Sequence, residues 1–254
     1  MKKSLSRVLS LLLVVCIVLA AVPVSAAASS NGNTHVVYKD YTDLDGNIVG
    51  KQKKEFTIGS PVIDSNGTKH TTVNETISYE LNDNFDLKDK FTTTTRTTIF
   101  SQDAQGNNYI NNEIVKPLEV NDQVSPLDTG GHWKYTSYDC DSPTQCYLYT
   151  GSAVSFDLKD VTNAYKAKYV LKNTTNNPMI SDFKLYATQA NNAVGAYYTA
   201  GTAYALAIAG IAALPFAGAI GVIVAGGGAI ASAYQGYSAW KDLNDAMANA
   251  YSIL

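Results

Sequence analysis

Residues 185–240 carry no charged side chain, and this feature constrains the fold of the chain more than any other. The centre of the stretch, "ALAIAGIAALPFAGAIGVIVAGGGAIASA" at 205–233, consists almost wholly of alanine, glycine and aliphatic residues. Such a run has to leave water, either in a protein core or in a bilayer, which about 20 apolar helical residues can cross. The preceding part is rich in Thr, Asn, Asp and Tyr, so the sequence predicts two unlike parts.

Small residues recur at every fourth position of this stretch, and one proline divides it. This spacing lets two helices approach closely, as in the Gly-x-x-x-Gly contact. Pro215 would remove a helical hydrogen bond and clash with the preceding turn. The pattern predicts an apolar, Gly/Ala-rich helical hairpin within 187–254, with helices over 193–214 and 216–237, a turn near Pro215 and a short amphipathic tail. The expected helix-packing residues are Gly201, Ala205, Ala209, Ala213, Ala217, Gly221, Ala225 and Ala229.

Aromatic residues flank the apolar stretch on both sides. Tyrosine and tryptophan are enriched where transmembrane helices meet the membrane–water interface. We therefore interpret a set of six as interface residues of a hairpin in lipid: Tyr197, Tyr198, Tyr204, Tyr234, Tyr237 and Trp240. The alternative is a buried helical core packed on an apolar face of the rest of the chain. Glycine and alanine bury little area, and the three glycines at 226–228 weaken a helix in water, which favours the bilayer.

The region 27–186 alternates short β-type runs with turn signals. The runs are rich in Thr, Val, Ile, Tyr and Phe and extend from "HVVYKDY" at 35–41 to "DFKLYA" at 182–187, the last predicted strand. Asp-Gly and Asn-Gly pairs between them are typical of tight hairpins. The sequence as a whole therefore predicts an α+β protein, with an N-terminal antiparallel β-sandwich-like domain followed by the helical hairpin.

The first 26 residues have the pattern of a secretory signal peptide. Three basic residues precede an apolar run, and small residues end at Ala26. Without this segment the chain keeps 16 basic and 22 acidic residues, a net charge of −6, which argues against nucleic acid as a partner. Cys140 and Cys146 then form an even pair in an exported protein, so we expect a disulfide.

The sequence shows no grouping of residues that would carry out a reaction. The three histidines, at 35, 70 and 132, have no metal-ligand spacing, and no nucleophile or phosphate-binding motif occurs. "DLDGN" at 43–47 has the look of a calcium loop but lacks its downstream Glu, which favours a plain hairpin turn. We predict no enzyme activity, no cofactor and no metal site; an active site assembled from distant strands is the alternative.

These features together predict a secreted protein that acts on a lipid bilayer. An exported polar region followed by an Ala/Gly-rich hairpin resembles, in general plan, the precursors of Gram-positive bacteriocins and toxins. The resemblance implies membrane insertion at a bacterial cell surface, and the small-residue row would also allow copies of the chain to associate. A structural or adhesive β-domain at the cell surface, anchored by its own hairpin, is the second hypothesis.

Overall fold

A computed structural model describes residues 34–115, 136–152, 165–207, 223–224 and 230–254 of the chain. The predicted signal peptide lies outside these residues. So do Pro215 and six of the helix-packing positions, Ala209, Ala213, Ala217, Gly221, Ala225 and Ala229. Gly201, Ala205, Tyr197, Tyr198 and Tyr204 lie in a helix, of which only the backbone is described there.

Seven antiparallel strands form the larger of two sheets. They are β1 (Thr34–Thr42), β2 (Ile48–Ile58), β3 (Val62–Ile63), β4 (Lys69–Leu81), β5 (Thr94–Gln102), β6 (Asn108–Ile110) and β7 (Glu113–Val115). The order across the sheet is β1-β2-β4-β5-β6-β7, and β3 pairs with β4. Alternate residues of β2, β4 and β5 are buried, as expected of a sheet with one covered face.

Three hairpin turns of the large sheet are built in the same way. Each starts with an aspartate whose carboxylate accepts backbone N–H groups from two and four residues further on, at 2.8–3.0 Å: Asp43, Asp64 and Asp103. A glycine in each turn has a positive φ of 81–86°, which glycine adopts without steric cost. The carboxylate of Asp43 is thus engaged within its own turn, and "DLDGN" forms the hairpin turn between β1 and β2.

Three further strands form the small sheet, in the order β10-β9-β8: β8 (Thr136–Asp139), β9 (Gln145–Gly151) and β10 (Tyr165–Leu171). Cys140 follows β8 and Cys146 lies in β9; the two are joined by a disulfide, with their Cα atoms 4.2 Å apart. The predicted disulfide is confirmed. The bridge connects two neighbouring strands across a short turn.

Two helices follow the strands, α1 (Asn177–Ala207) and α2 (Ile230–Ile253). The last predicted strand, "DFKLYA" at 182–187, is wrong because it lies inside α1. Pro178 stands at the first turn, where a missing N–H costs nothing, and the Asn173 side chain accepts the backbone N–H of Asn176 just before the helix. Helical spacing also brings Ile180, Phe183 and Ala187 together on the small sheet. In the described residues, α2 runs on to Ile253, so the predicted tail is helical.

The two helices contact each other and both sheets. Ala190 and Ala193 of α1 pack on Leu243, Ala246 and Met247 of α2. A second cluster joins α2 to the large sheet, and a third joins α1 and the end of α2 to the small sheet. The α+β class is confirmed. The described core clusters do not confirm a face-to-face sandwich, because each of them includes helical residues.

The described helices include none that is long and apolar enough to cross a bilayer. Much of the apolar run, at 208–222 and 225–229, lies outside the described residues. Of the remainder, Ile223 and Val224 are buried in the core beside Phe56, Val73 and Phe100 of the large sheet. The described end of the apolar run is therefore packed against the protein's own sheet.

Candidate functional site: the interface between α2 and the large sheet

The apolar half of this interface is built around two tyrosines of α2. Tyr234 is completely buried, with its ring centroid 4.9 Å from that of Phe56 and 6.1 Å from that of Phe100. Tyr237 meets Phe100 edge to face at 5.0 Å and lies 6.1 Å from Trp240, which is half-buried. Three of the six aromatics predicted for a membrane interface thus lie on or near the sheet in this state, and their contact with lipid stays a prediction.

The polar half is a cluster of charged side chains, which we call the docking network: Lys54, Glu75, Arg96, Ser238 and Asp242. Glu75 of β4 lies directly opposite Arg96 of β5 in the sheet register, and their side chains form an ion pair. Arg96 Nη1 donates to Asp242 Oδ1 at 2.9 Å, and Lys54 also pairs with Asp242. The charges of the cluster therefore balance. Two cations come from the sheet, and the two carboxylates are Glu75 of the sheet and Asp242 of α2.

Ser238 of α2 lies at the centre of the docking network and is almost wholly buried. Its hydroxyl accepts hydrogen bonds from Lys54 Nζ and Arg96 Nη2, each at 2.7 Å, and donates to Glu75 Oε1 at 2.7 Å. The Tyr234 hydroxyl donates to the other Glu75 oxygen at 3.1 Å. These directional bonds fix both the register and the rotation of α2 on the sheet, because a shifted helix would leave buried charges without partners.

The charges of the network perturb each other's ionisation. Burial alone would raise the pKa of Asp242, but Lys54 and Arg96 outweigh it and hold that pKa below its usual range. A carboxylate with a depressed pKa stabilises the fold above its unfolded pKa of about 4 and loses this contribution as pH falls through the folded value. Asp242 is therefore charged in the folded protein at neutral pH, where its ion pairs with Lys54 and Arg96 contribute to stability.

A second polar contact holds α1 on the edge of the large sheet. The side-chain amide of Asn192 accepts the backbone N–H of Thr42 at 3.0 Å and donates to the Thr42 carbonyl at 2.7 Å. Lys39 Nζ donates to the Asn192 carbonyl at 2.6 Å. Asn192 is buried, and its two bonds to the backbone of Thr42 take the place of the hydrogen bonds that a neighbouring strand would form at this edge. Both helices are thus fixed by specific polar contacts besides apolar packing.

Lys39 should make stability depend on pH. Burial and the charge of Lys54, partly offset by Asp242, lower the pKa of Lys39 to about 8 from 10.5. The unfolded chain then binds more protons than the folded one between these values, so stability rises with pH there, by up to about 1.4 kcal/mol per pH unit. Urea unfolding from pH 7.5 to 9.5 should show this rise. Lys39→Met should flatten it, whereas Lys51→Met, at an exposed position, should not.

Sequence reasoning did not identify the docking network. The described residues include no group of three His, Cys, Asp or Glu side chains that could hold a metal ion. Comparison with protein-family models, curated proteins and solved structures gives no match for this chain.

Proposed function

We propose that this chain is a secreted membrane-active protein, bacteriocin-like or toxin-like, whose C-terminal hairpin inserts into a bilayer after its helices leave the sheets. The observation that carries the proposal is the pairing of a charge-free stretch, 185–240, with helices held by polar contacts at its two ends. In the docked state Ile223, Val224, Ala233, Tyr234 and Tyr237 are shielded from water in the core of the large sheet.

The composition of the interface supports a contact that can be reversed. A buried ion network gains little net stability over apolar residues of the same volume, because its members lose their hydration. It does, however, select one docked arrangement. Lys54, Arg96 and Asp242 keep 12–20% of their side-chain surface exposed, so water can reach them as the helix starts to leave. A bilayer would then offer the apolar stretch an environment as favourable as the core.

Dye release from liposomes tests this function. The mature protein, alone or clipped near residue 186, should release a trapped dye. Asp242→Asn weakens the docking network and should speed release several-fold, whereas Asp245→Asn, which alters an exposed pair with Lys241 on the same helix, should not. Failure of the intact and of the clipped protein to release dye would contradict the proposal.

The second candidate is an adhesive β-domain kept at the surface of the producing cell by its own hairpin. The observation that favours it is a tyrosine-bearing outer face on the small sheet. Tyr147 and Tyr169 lie opposite each other there with ring centroids 4.7 Å apart, and Tyr169 is 66% exposed. Cell fractionation separates the two candidates, because an anchored domain stays with the producer's membranes and a toxin appears in the medium.

A further inference from the structure

A cleft opens where the two sheets and α1 meet, away from the docking network. Its walls come from the β1–β2 turn, the 82–87 segment, the small sheet and the first turns of α1. The volume is about 690 Å³. Sites for small ligands have volumes of about 300–1,000 Å³ and often lie where structural units meet. The cleft therefore has both the size and the position of a ligand site.

The cleft combines an apolar base with polar walls. Leu87, Ile180 and Cys146 are buried apolar residues among its lining, and Phe85 lies beside them. The walls carry a mixture of amide, carboxylate, hydroxyl and ammonium groups. A ligand that fits such a lining has one apolar face and many groups that both donate and accept hydrogen bonds.

Several polar groups of the walls are already used by the protein. The Asp43 carboxylate closes its own turn, the Asn82 amide donates to the Ile48 carbonyl at 3.4 Å, and Lys172 Nζ donates to the Cys140 carbonyl at 2.6 Å. In contrast, Asp45, Asn84 and Ser181 line the cleft with side chains that form no hydrogen bond within the described part of the chain. These groups are available to a ligand.

The cleft carries charges of both signs in nearly equal number, with three carboxylates, Asp43, Asp45 and Asp86, and two ammonium groups, Lys172 and Lys184. The Lys184 ammonium lies 5.0 Å from the centroid of the Tyr138 ring. The carboxylates oppose an anionic ligand, and the two ammonium groups oppose a strongly cationic one. A neutral ligand fits this balance best.

We propose that the cleft binds a neutral saccharide. Sugar hydroxyls both donate and accept, so they match the carboxylates of Asp45 and Asp86 as well as the amide of Asn84. The C–H face of a sugar ring can lie on the apolar base near Phe85. The proposal does not depend on membrane insertion, and it gives the β-rich part of the chain a binding role at a glycan-covered cell surface.

Calorimetric titration of the mature protein with three neutral sugars tests the proposal: tetra-N-acetylchitotetraose, maltotetraose and cellotetraose. At least one should bind saturably and raise the melting temperature, as a ligand of the folded state does. Asp86→Asn and Asn84→Ala, both at exposed positions, should weaken that binding at least tenfold without changing the melting temperature of the free protein. Asn249→Ala, on the exposed side of α2, is the matched control and should leave binding unchanged.

Two outcomes would overturn the saccharide proposal. One is that none of the three sugars binds, or that binding is the same in both cleft variants. The other is that phosphocholine, titrated in parallel, binds and is weakened by the cleft variants while the sugars are not. Neither outcome depends on dye release, so failure of this proposal is distinguishable from failure of the proposed function.

Discussion

Replacement of Arg96 by methionine should destabilise the protein by about 3–5 kcal/mol, the usual cost of removing one partner from a buried ion pair. Methionine keeps much of the volume of arginine but leaves Glu75, whose side chain is completely buried, without its cation. The Ser238 hydroxyl and Asp242 each lose a bond as well. Glu75 would then be a buried carboxylate held by two hydroxyl groups alone.

Urea unfolding followed by circular dichroism measures this effect as a lower midpoint at an unchanged slope. Lys241→Met is the matched control, because Lys241 forms an exposed pair with Asp245 one turn further along α2. Its effect should stay within about 0.5 kcal/mol. Equal effects of the two substitutions would show that the docking network does not hold α2.

Replacement of Tyr234 by alanine should cost a similar amount, about 3–5 kcal/mol, because it empties the centre of the contact between α2 and the sheet. Tyr234 is completely buried between Phe56 and Phe100. Tyr234→Phe keeps the ring and removes only the hydroxyl that donates to Glu75. It should therefore cost less, about 1–2 kcal/mol.

The same unfolding measurement compares these two variants with Tyr38→Ala. Tyr38 lies on β1 with 50% of its surface exposed, so its removal should change stability by less than about 1 kcal/mol. An Ala variant of Tyr234 as stable as the Tyr38 variant would mean that α2 is not packed on the sheet in solution. The difference between the Phe and Ala variants separates ring packing from the hydroxyl bond.

The α+β class, most of the strands and the disulfide follow from the sequence because their signals are local. Two-residue alternation, Asp-Gly and Asn-Gly turns and an even pair of cysteines each depend on a few neighbouring residues. The prediction of a strand at 182–187 is wrong because it, too, depends only on local signals. Its residues Phe183, Leu185 and Tyr186 suit a strand locally, but Pro178 in the first turn and the packing of Ile180, Phe183 and Ala187 on the small sheet favour a helix.

The docking network could not be predicted from local patterns, because it joins residues separated by more than 140 positions. Arg96 and Asp242 meet only once α2 lies on the sheet. The sequence carries a partial signal. Arg96 lies on the same face of β5 as Phe100, and Glu75 lies on the same face of β4 as Val73, so both charged side chains share a face with core residues. Charged residues on the buried face of a sheet need a partner from another element. The sequence does not say which element supplies it.

The position of Trp240 allows the most direct test of the account, whose central claim is that α2 leaves the sheet and meets lipid. The chain has two tryptophans, so Trp133→Phe leaves Trp240 of α2 as its only tryptophan. Under conditions that release dye, vesicles of brominated phosphatidylcholine should quench the fluorescence of Trp240. Vesicles of the same lipid without bromine should not quench it. Asp242→Asn should speed the quenching. Dye release with the emission of Trp240 unquenched would contradict the account, because α2 would then have stayed on the sheet while the bilayer was breached.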